Sequence, residues 1–519
     1  MSMLPGEYSL LLAPDAYPEA TGSVDYRETH ISRVFLTDSR AYKLKKPLDL
    51  GFLDFSTLVK RRHFCHEEVR LNRRFTRDLY LGVVELHRDR HGLNFRGSGE
   101  LADYAVCMRR LPEERMLDRM LDTSPAELAG EMPRLASHLH TLFGRADVCR
   151  GPHGGNAAIV ATNCRDNFTT TAGFSDSLLS PQAQGVMLAI CERDLTELHA
   201  LLCSREADGM VRDGHGDLHS GNICMTESIQ VYDCIEFNRA FRVADIAADL
   251  AFLLMDLDFA NRRDLSALLL QNYQSAAGDR NLEQLLPFYQ RYRAWVRGKV
   301  DGLLALETDV EPPVRHHAAG LARRYFNLAM GYTLSPTLLL TCGLMGSGKT
   351  TLARGLASVC DALLLRSDTV RKELAGLPPD AAVSDAWQQG LYAAAMTDRT
   401  YRELHRQAAL ALAAGRTVIV DAAFSQTGQR QLFCNLGRET RRPVWLLHLD
   451  CPEPVARQRL AERHGDASDG RPELLPVQQQ AFAPVEQTGN VINIDSTREI
   501  DYTVHLLLCR ILSRQEMLS

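Results

Sequence analysis

At 519 residues, 45% hydrophobic and 24% charged, the chain has an ordinary globular composition and is too long for one core, which implies two to four domains. A net charge of −6, with residues 334–519 close to neutral, argues against a nonspecific polyanion binder. Thirteen scattered cysteines with no C-x-x-C pair argue against a disulfide framework or zinc site. No basic segment precedes the short apolar run in Met1 to Ala13, and no stretch reaches about 18 uninterrupted apolar residues, so a soluble cytoplasmic protein without a membrane role is expected.

Residues 1–110 read as a strand-rich lobe interrupted by one helix. Arg33 to Leu36 and Ala41 to Leu44 pattern as paired strands around the turn Thr37 to Arg40. Phe55 to Phe75 patterns as a charged helix capped at Ser56 or Thr57, followed by strands at Val83 to His87 and Tyr104 to Met108. Residues 111–333 read as a helical lobe, with a polar interruption at Gly151 to Asn167 and a mostly apolar helix over Ala244 to Ala260. Within it lies His215-Gly216-Asp217-Leu218-His219-Ser220-Gly221-Asn222, followed by Val231-Tyr232-Asp233 at the end of an apolar strand.

An Asp, an Asn five residues later and a second Asp after a strand suit phosphoryl transfer, which asks for positioning and charge neutralisation more than covalent chemistry. In that reading Asp217 accepts or orients the acceptor hydroxyl proton, and Asn222 and Asp233 hold Mg²⁺ at the nucleotide phosphates. Lys43, inside an apolar strand, grips the phosphates. Lys45, two residues on, faces the same side and is its rival. Glu68 is the expected partner of the lysine, with Glu67 second. Arg293 and Arg297, at i, i+4, are candidates for an anionic acceptor group or for a solvated basic face. His30, His63 and His153 lack partners at metal-ligand spacing.

A domain boundary is expected near Ser335-Pro336, where the proline disfavours a continuing helix. Beyond it, strand and helix alternate: Thr337 to Thr341, Thr350 to Val359, Leu363 to Leu365, Tyr401 to Ala414, Thr417 to Val420, a helix, and Val444 to Leu449. That order implies a parallel sheet covered on both faces. Gly343-Leu344-Met345-Gly346-Ser347-Gly348-Lys349-Thr350 matches G-x-x-x-x-G-K-[ST] in full between a strand and a helix. Gly343, Gly346, Ser347, Gly348, Lys349, Thr350 and Thr351 would bind the nucleotide, with Lys349 at the transferred phosphate and Thr350 on Mg²⁺. Asp368 and Arg371 open the helix after the next strand, a candidate base and an acceptor clamp, or else an N-cap and a solvated turn. Asp421 ends a Walker B-like strand. Arg457, Arg459 and Arg463 precede a polar loop, Gly465 to Gly470, and Arg459 or Arg463 is a candidate lid arginine.

His215 to Asn222, Asp233 and Asp249-Leu250-Ala251 resemble the aminoglycoside phosphotransferase and choline-kinase-like branch of the protein-kinase fold, over roughly residues 25–330. The resemblance implies a two-lobed domain, a structural role for Asp249 and a nucleotide hinge near Met108 to Arg110. Two departures stand out. No Gly-rich loop precedes Lys43, so the Thr37 to Arg40 turn covers the phosphates or they stay open; and position 219 is His where protein kinases often have Lys. The D-x-x-R spacing of Asp368 and Arg371 resembles the 5′-hydroxyl polynucleotide kinase group of P-loop kinases, and the polar loop at 465–470 resembles their lid. The whole resembles bacterial proteins that fuse an aminoglycoside-phosphotransferase-like domain to a P-loop, AAA-type kinase domain. It implies a multidomain α/β and α+β protein using ATP or GTP with Mg²⁺ on a small-molecule hydroxyl. A 5′-hydroxyl nucleic acid end is less favoured. A kinase head regulated by nucleotide at the other site, or a nucleotide-sensing scaffold, are the alternatives.

Overall fold

Alternation along an early strand sets the architecture of the first half. In the computed structural model, which describes residues 6–76, 78–151, 157–378, 381, 389–462 and 471–516, β1 (Asp25–Glu28), β2 (Ser32–Leu36), β3 (Arg40–Lys45), β4 (Tyr80–Asp89), β5 (Gly92–Asn94) and β6 (Glu100–Arg109) form one antiparallel sheet. Its order is β1-β2-β3-β6-β4-β5. Tyr42 and Leu44 face a cluster with Leu11, Tyr17 and Phe95. Ala41, on the opposite face, packs with Cys65 and Val69 of the helix Leu58–Asn72, and the same period of two sends Lys43 and Lys45 to that side. Thr57 caps this helix by accepting from the Lys60 N–H at 3.3 Å.

Below the sheet, a helical core is built on Pro125–Arg145, Ile246–Phe259 and Arg263–Ala277. The apolar stretch from Ala244 is split. Val243–Asp245 is a strand, β10, paired with β7 (Val211–Asp213), and Asp245 caps the helix that follows. The expected polar interruption at Gly151 to Asn167 is shorter than its composition suggested, because Ala157–Thr171 is helical. His153 lies outside the described residues.

In the second half, β11 (Leu338–Cys342), β12 (Leu363–Arg366), β13 (Val418–Asp421), β14 (Val444–Asp450) and β15 (Val491–Asp495) form a parallel sheet in the order β12-β13-β11-β14-β15. The central strands β11 and β13 are buried along their whole length, as helices on both faces require. The chain is thus a multidomain α/β protein, with an antiparallel sheet and helical core in its first half and a parallel sheet that carries the P-loop in its second.

Packing divides the chain into two compact units, Met1–Thr170 with Ile190–Arg293 and Leu306–Arg315, and Thr171–Ala189 with Ala294–Ala305 and His316–Ser519. The second unit thus takes in segments on both sides of Pro336. Within the second unit Phe326 stacks edge-on against Trp295 at 4.8 Å, and Phe174 lies 6.3 Å from Phe326. His505 accepts the Ser180 N–H at Nε2 (3.2 Å), and its Nδ1 is 3.1 Å from Asn327 Oδ1. Burial holds this histidine down, to about 4. Among the described residues no helix is long and apolar enough to cross a membrane.

Candidate active sites

In the first unit, Lys43 Nζ reaches Glu68 Oε1 at 3.0 Å and also pairs with Asp233. Lys45 Nζ takes the other oxygen of Glu68 at 2.6 Å and pairs with Glu236. Glu67 lies on the outer side of its helix and pairs with Arg70 at 2.7 Å. Burial alone would raise the Glu68 carboxyl, but the two ammonium groups outweigh it and hold it down, to about 2. For Glu236 burial wins, and its carboxyl is pushed above the usual range despite Lys45.

The loop carrying Asp217 is fixed from behind. Asp249 accepts the His215 N–H (2.8 Å) and the Gly216 N–H (2.9 Å). Gly216 has φ +81, and a Cβ there would stand 2.9 Å from Arg242 Cα, so the turn requires glycine. Burial depresses His215, whose Nε2 meets the Tyr232 carbonyl at 2.8 Å. His219 accepts the Gly221 N–H at Nδ1, and its Nε2 lies 3.5 Å from Asp217 Oδ2. The short ladder of β8 (Ile223–Cys224) with β9 (Gln230–Val231) brings Asn222 and Asp233 to one end of a hairpin. Asn222 Nδ2 donates to the Asp217 carbonyl at 2.9 Å and lies 3.3 Å from Asp217 Oδ2, which leaves its amide oxygen as the donor for a cation. With the Asp233 carboxylate this is a hard oxygen pair of the kind Mg²⁺ takes.

Two expectations change here. Arg293 is neither an acceptor clamp nor part of a solvated face. It is 5% exposed, donates to the Gly216 carbonyl at 2.7 Å and to the Ala248 carbonyl at 3.2 Å, and stacks on Phe252. Arg297 lies over the Tyr325 ring, 5.4 Å from its centroid. Nor does the Thr37 to Arg40 turn stand at the Lys45 end of β3: Arg40 pairs with Arg109, at the other end. The turn at the Lys45 end is Thr29 to Ser32, between β1 and β2, where Lys46 N–H donates to the Ile31 carbonyl at 2.8 Å. Strand β1 is short and polar, and alternation gave no signal for it.

In the P-loop unit, Gly343 to Thr351 runs from β11 into the helix Lys349–Cys360. Gly346 has φ +75, and a Cβ there would lie 2.6 Å from the Ala456 carbonyl. Lys349 Nζ donates to the Leu344 carbonyl at 2.6 Å. The Thr350 hydroxyl donates to Asp421 Oδ2 at 2.7 Å because β13 lies beside β11, and this hydroxyl and carboxylate again suit Mg²⁺. Arg366 Nε stands 3.4 Å from the same Asp421 oxygen. Two residues on, Asp368 opens the helix Ser367–Leu374 and pairs with Arg371 at 3.0 Å, while Arg371 covers the Tyr392 ring. Arg371 is buried, so it is not on a solvated turn. Arg459 donates to the Ser496 carbonyl at 2.8 Å, and its guanidinium lies 3.4 Å from where a Cβ of Gly348 would be. Arg457 pairs with Glu453 at 2.8 Å. Arg463 and the loop 465–470 lie outside the described residues. Sequence reasoning missed Gln478, whose Oε1 accepts the Met345 N–H of the P-loop at 2.7 Å; no motif marks it.

Residues 338–485 match the model of the AAA domain family. Over 490 residues the chain is 30% identical to the uncharacterized proteins Rv2004c of Mycobacterium tuberculosis and Mb2027c of Mycobacterium bovis, covering 93% of this chain and 95% of theirs. The chain belongs to their family. Among solved structures it is similar to a choline/ethanolamine kinase family protein from Mesorhizobium loti (14% identity, TM-score 0.39, 69% of this chain and 98% of that one). It is also similar to a gluconokinase from Sinorhizobium meliloti (18% identity, TM-score 0.26, 35% and 95%).

Proposed function

We propose that this family member is a two-site, ATP-dependent phosphotransferase in which each unit transfers the terminal phosphate to a hydroxyl of a small molecule. The observation that carries the reading is the set of contacts at each candidate lysine: Lys43 pairs with Glu68 and Asp233 in the first unit, and in the second Lys349 follows the P-loop glycines with Thr350 bonded to Asp421. In the first unit, Lys43 would hold the phosphates, Asn222 and Asp233 the Mg²⁺, and Asp217 would take the acceptor proton. In the second, backbone N–H groups of the P-loop and Lys349 would hold the phosphates, Thr350 and Asp421 the Mg²⁺ shell, and Asp368 would be the base with Arg371 beside it.

Sugar-like metabolites, aminoglycoside-like compounds and nucleotides are the acceptor classes in view. The near-neutral charge of residues 334–519 weighs against a nucleic acid end. Thirteen scattered cysteines without a C-x-x-C pair, none of them in a disulfide, favour a reducing compartment such as the cytoplasm.

The test is phosphate transfer from ATP over a panel of sugars, aminoglycosides, nucleosides and 5′-hydroxyl oligonucleotides, with wild type, Asp217→Ala and Lys349→Ala. The reading expects one acceptor's turnover to fall by about 10²-fold or more with each variant. If all three proteins bind nucleotide alike and none turns over any acceptor, the reading fails.

A further inference from the structure

Four buried side chains near the first site form one alternating line of charge. Lys43, Lys45, Glu68 and Glu236 are each 7% exposed or less, and the line ends on the half-exposed carboxylate of Asp233. Its order is Asp233, Lys43, Glu68, Lys45, Glu236. Burying so many charges costs several kcal/mol each unless every one is matched, so the arrangement needs a reason beyond stability.

That reason lies in what Lys43 has to do. It is bound to Asp233, the carboxylate assigned to Mg²⁺, and must give up that partner when phosphates arrive. If Lys43 were the only cation on Glu68, the buried carboxylate would be held solely by the side chain that changes partners. Here Glu68 gives one oxygen to each lysine. Lys45 is anchored in turn on Glu236, three residues after Asp233. The loop between them is pinned independently: Cys234 N–H donates to Asn72 Oδ1 at 2.9 Å, and Ile235 N–H to the His215 carbonyl at 3.0 Å. Asn72 ends the helix that carries Glu68.

We infer that Lys45, with Glu236, is a positioning residue: it holds Glu68 and the Asp233 loop in the nucleotide-ready arrangement, so that Lys43 can pass from Asp233 to the phosphates without loosening the site. This rests on the phosphotransferase reading of the first unit. It makes Lys45 a complement to Lys43.

The experiment is calorimetric titration with magnesium and a non-hydrolysable ATP analogue. It uses the full chain carrying Lys349→Ala, so that binding at the P-loop is suppressed, and compares added Lys43→Ala, Lys45→Met, Lys45→Arg and Glu236→Gln. Thermal melts are run on each. Lys45→Met is expected to weaken binding by about tenfold or more, with Lys45→Arg within about threefold of the parent and Glu236→Gln between them. Glu236→Gln keeps the side-chain volume and carries the test if Lys45→Met does not fold. Lower melting temperatures with binding like the parent's, while Lys43→Ala abolishes it, would overturn the positioning role and leave the kinase reading standing. If the parent shows no binding that Lys43→Ala removes, both fall.

Discussion

In the P-loop unit, the groups proposed to grip phosphate are neighbours in sequence, from Gly343 to Thr351, and most are backbone N–H groups. In the first unit, Lys43 meets Glu68 at 25 positions' separation and Asp233 at 190. A local site is set by a turn and a helix N-terminus, and its lysine waits on a carbonyl one turn away. A distributed site exists only when sheet, helix and hairpin have all packed, and its lysine waits inside an ion-pair network. The first should tolerate change in its surroundings and the second should not.

The largest effect expected from breaking this contrast is at chemistry itself. Asp217→Asn keeps the volume that Asn222 packs against and removes the proton acceptor. It should lower kcat of the first unit by about 10²- to 10⁴-fold with little change in melting temperature, measured on whichever acceptor that unit takes. Next comes Arg293, buried behind the loop that carries Asp217. Arg293→Met strands Asp249, 3.5 Å away, and the Gly216 carbonyl, so urea titration should show a loss of about 3–5 kcal/mol. A clamp for the acceptor would instead change KM alone.

His505 sharpens the comparison from the other unit. Its ordinary value is 6.5 and the fold depresses it to about 4, so the unfolded chain takes the proton first. The stability it confers is complete above about pH 6.5 and is lost as pH falls toward 4, by up to about 3 kcal/mol. Melts between those pH values should show a slope that His505→Gln flattens. The smallest effect is at the helix cap: Thr57→Ala should cost about 1 kcal/mol in the first unit and leave nucleotide binding at the P-loop unchanged.

Much of the second unit was legible because its signals are local. Apolar strands, a glycine-rich turn and a lysine at fixed spacing announce themselves, although β15, which alternates at the sheet edge, and Gln478 did not. In the first unit the short run from His215 to Asp233 was equally clear. Arg293 looked like any helix-surface arginine, because nothing in its neighbours says that Gly216 lies across the core from it. The turn at Thr29 to Ser32 was missed for a related reason: strand β1 is too short and polar to carry a pattern.

What the sequence determined by itself was which residue types stand at fixed spacing, since motif chemistry and strand alternation act over a few residues. Period two alone placed Lys43 and Lys45 on one side of β3. Only the tertiary structure decided that both lysines share Glu68, that Glu236 completes the line, and that helices beginning before Pro336 pack in the P-loop unit. Those outcomes depend on which buried charges find a partner and which apolar faces find cover, and both are settled by groups far apart along the chain.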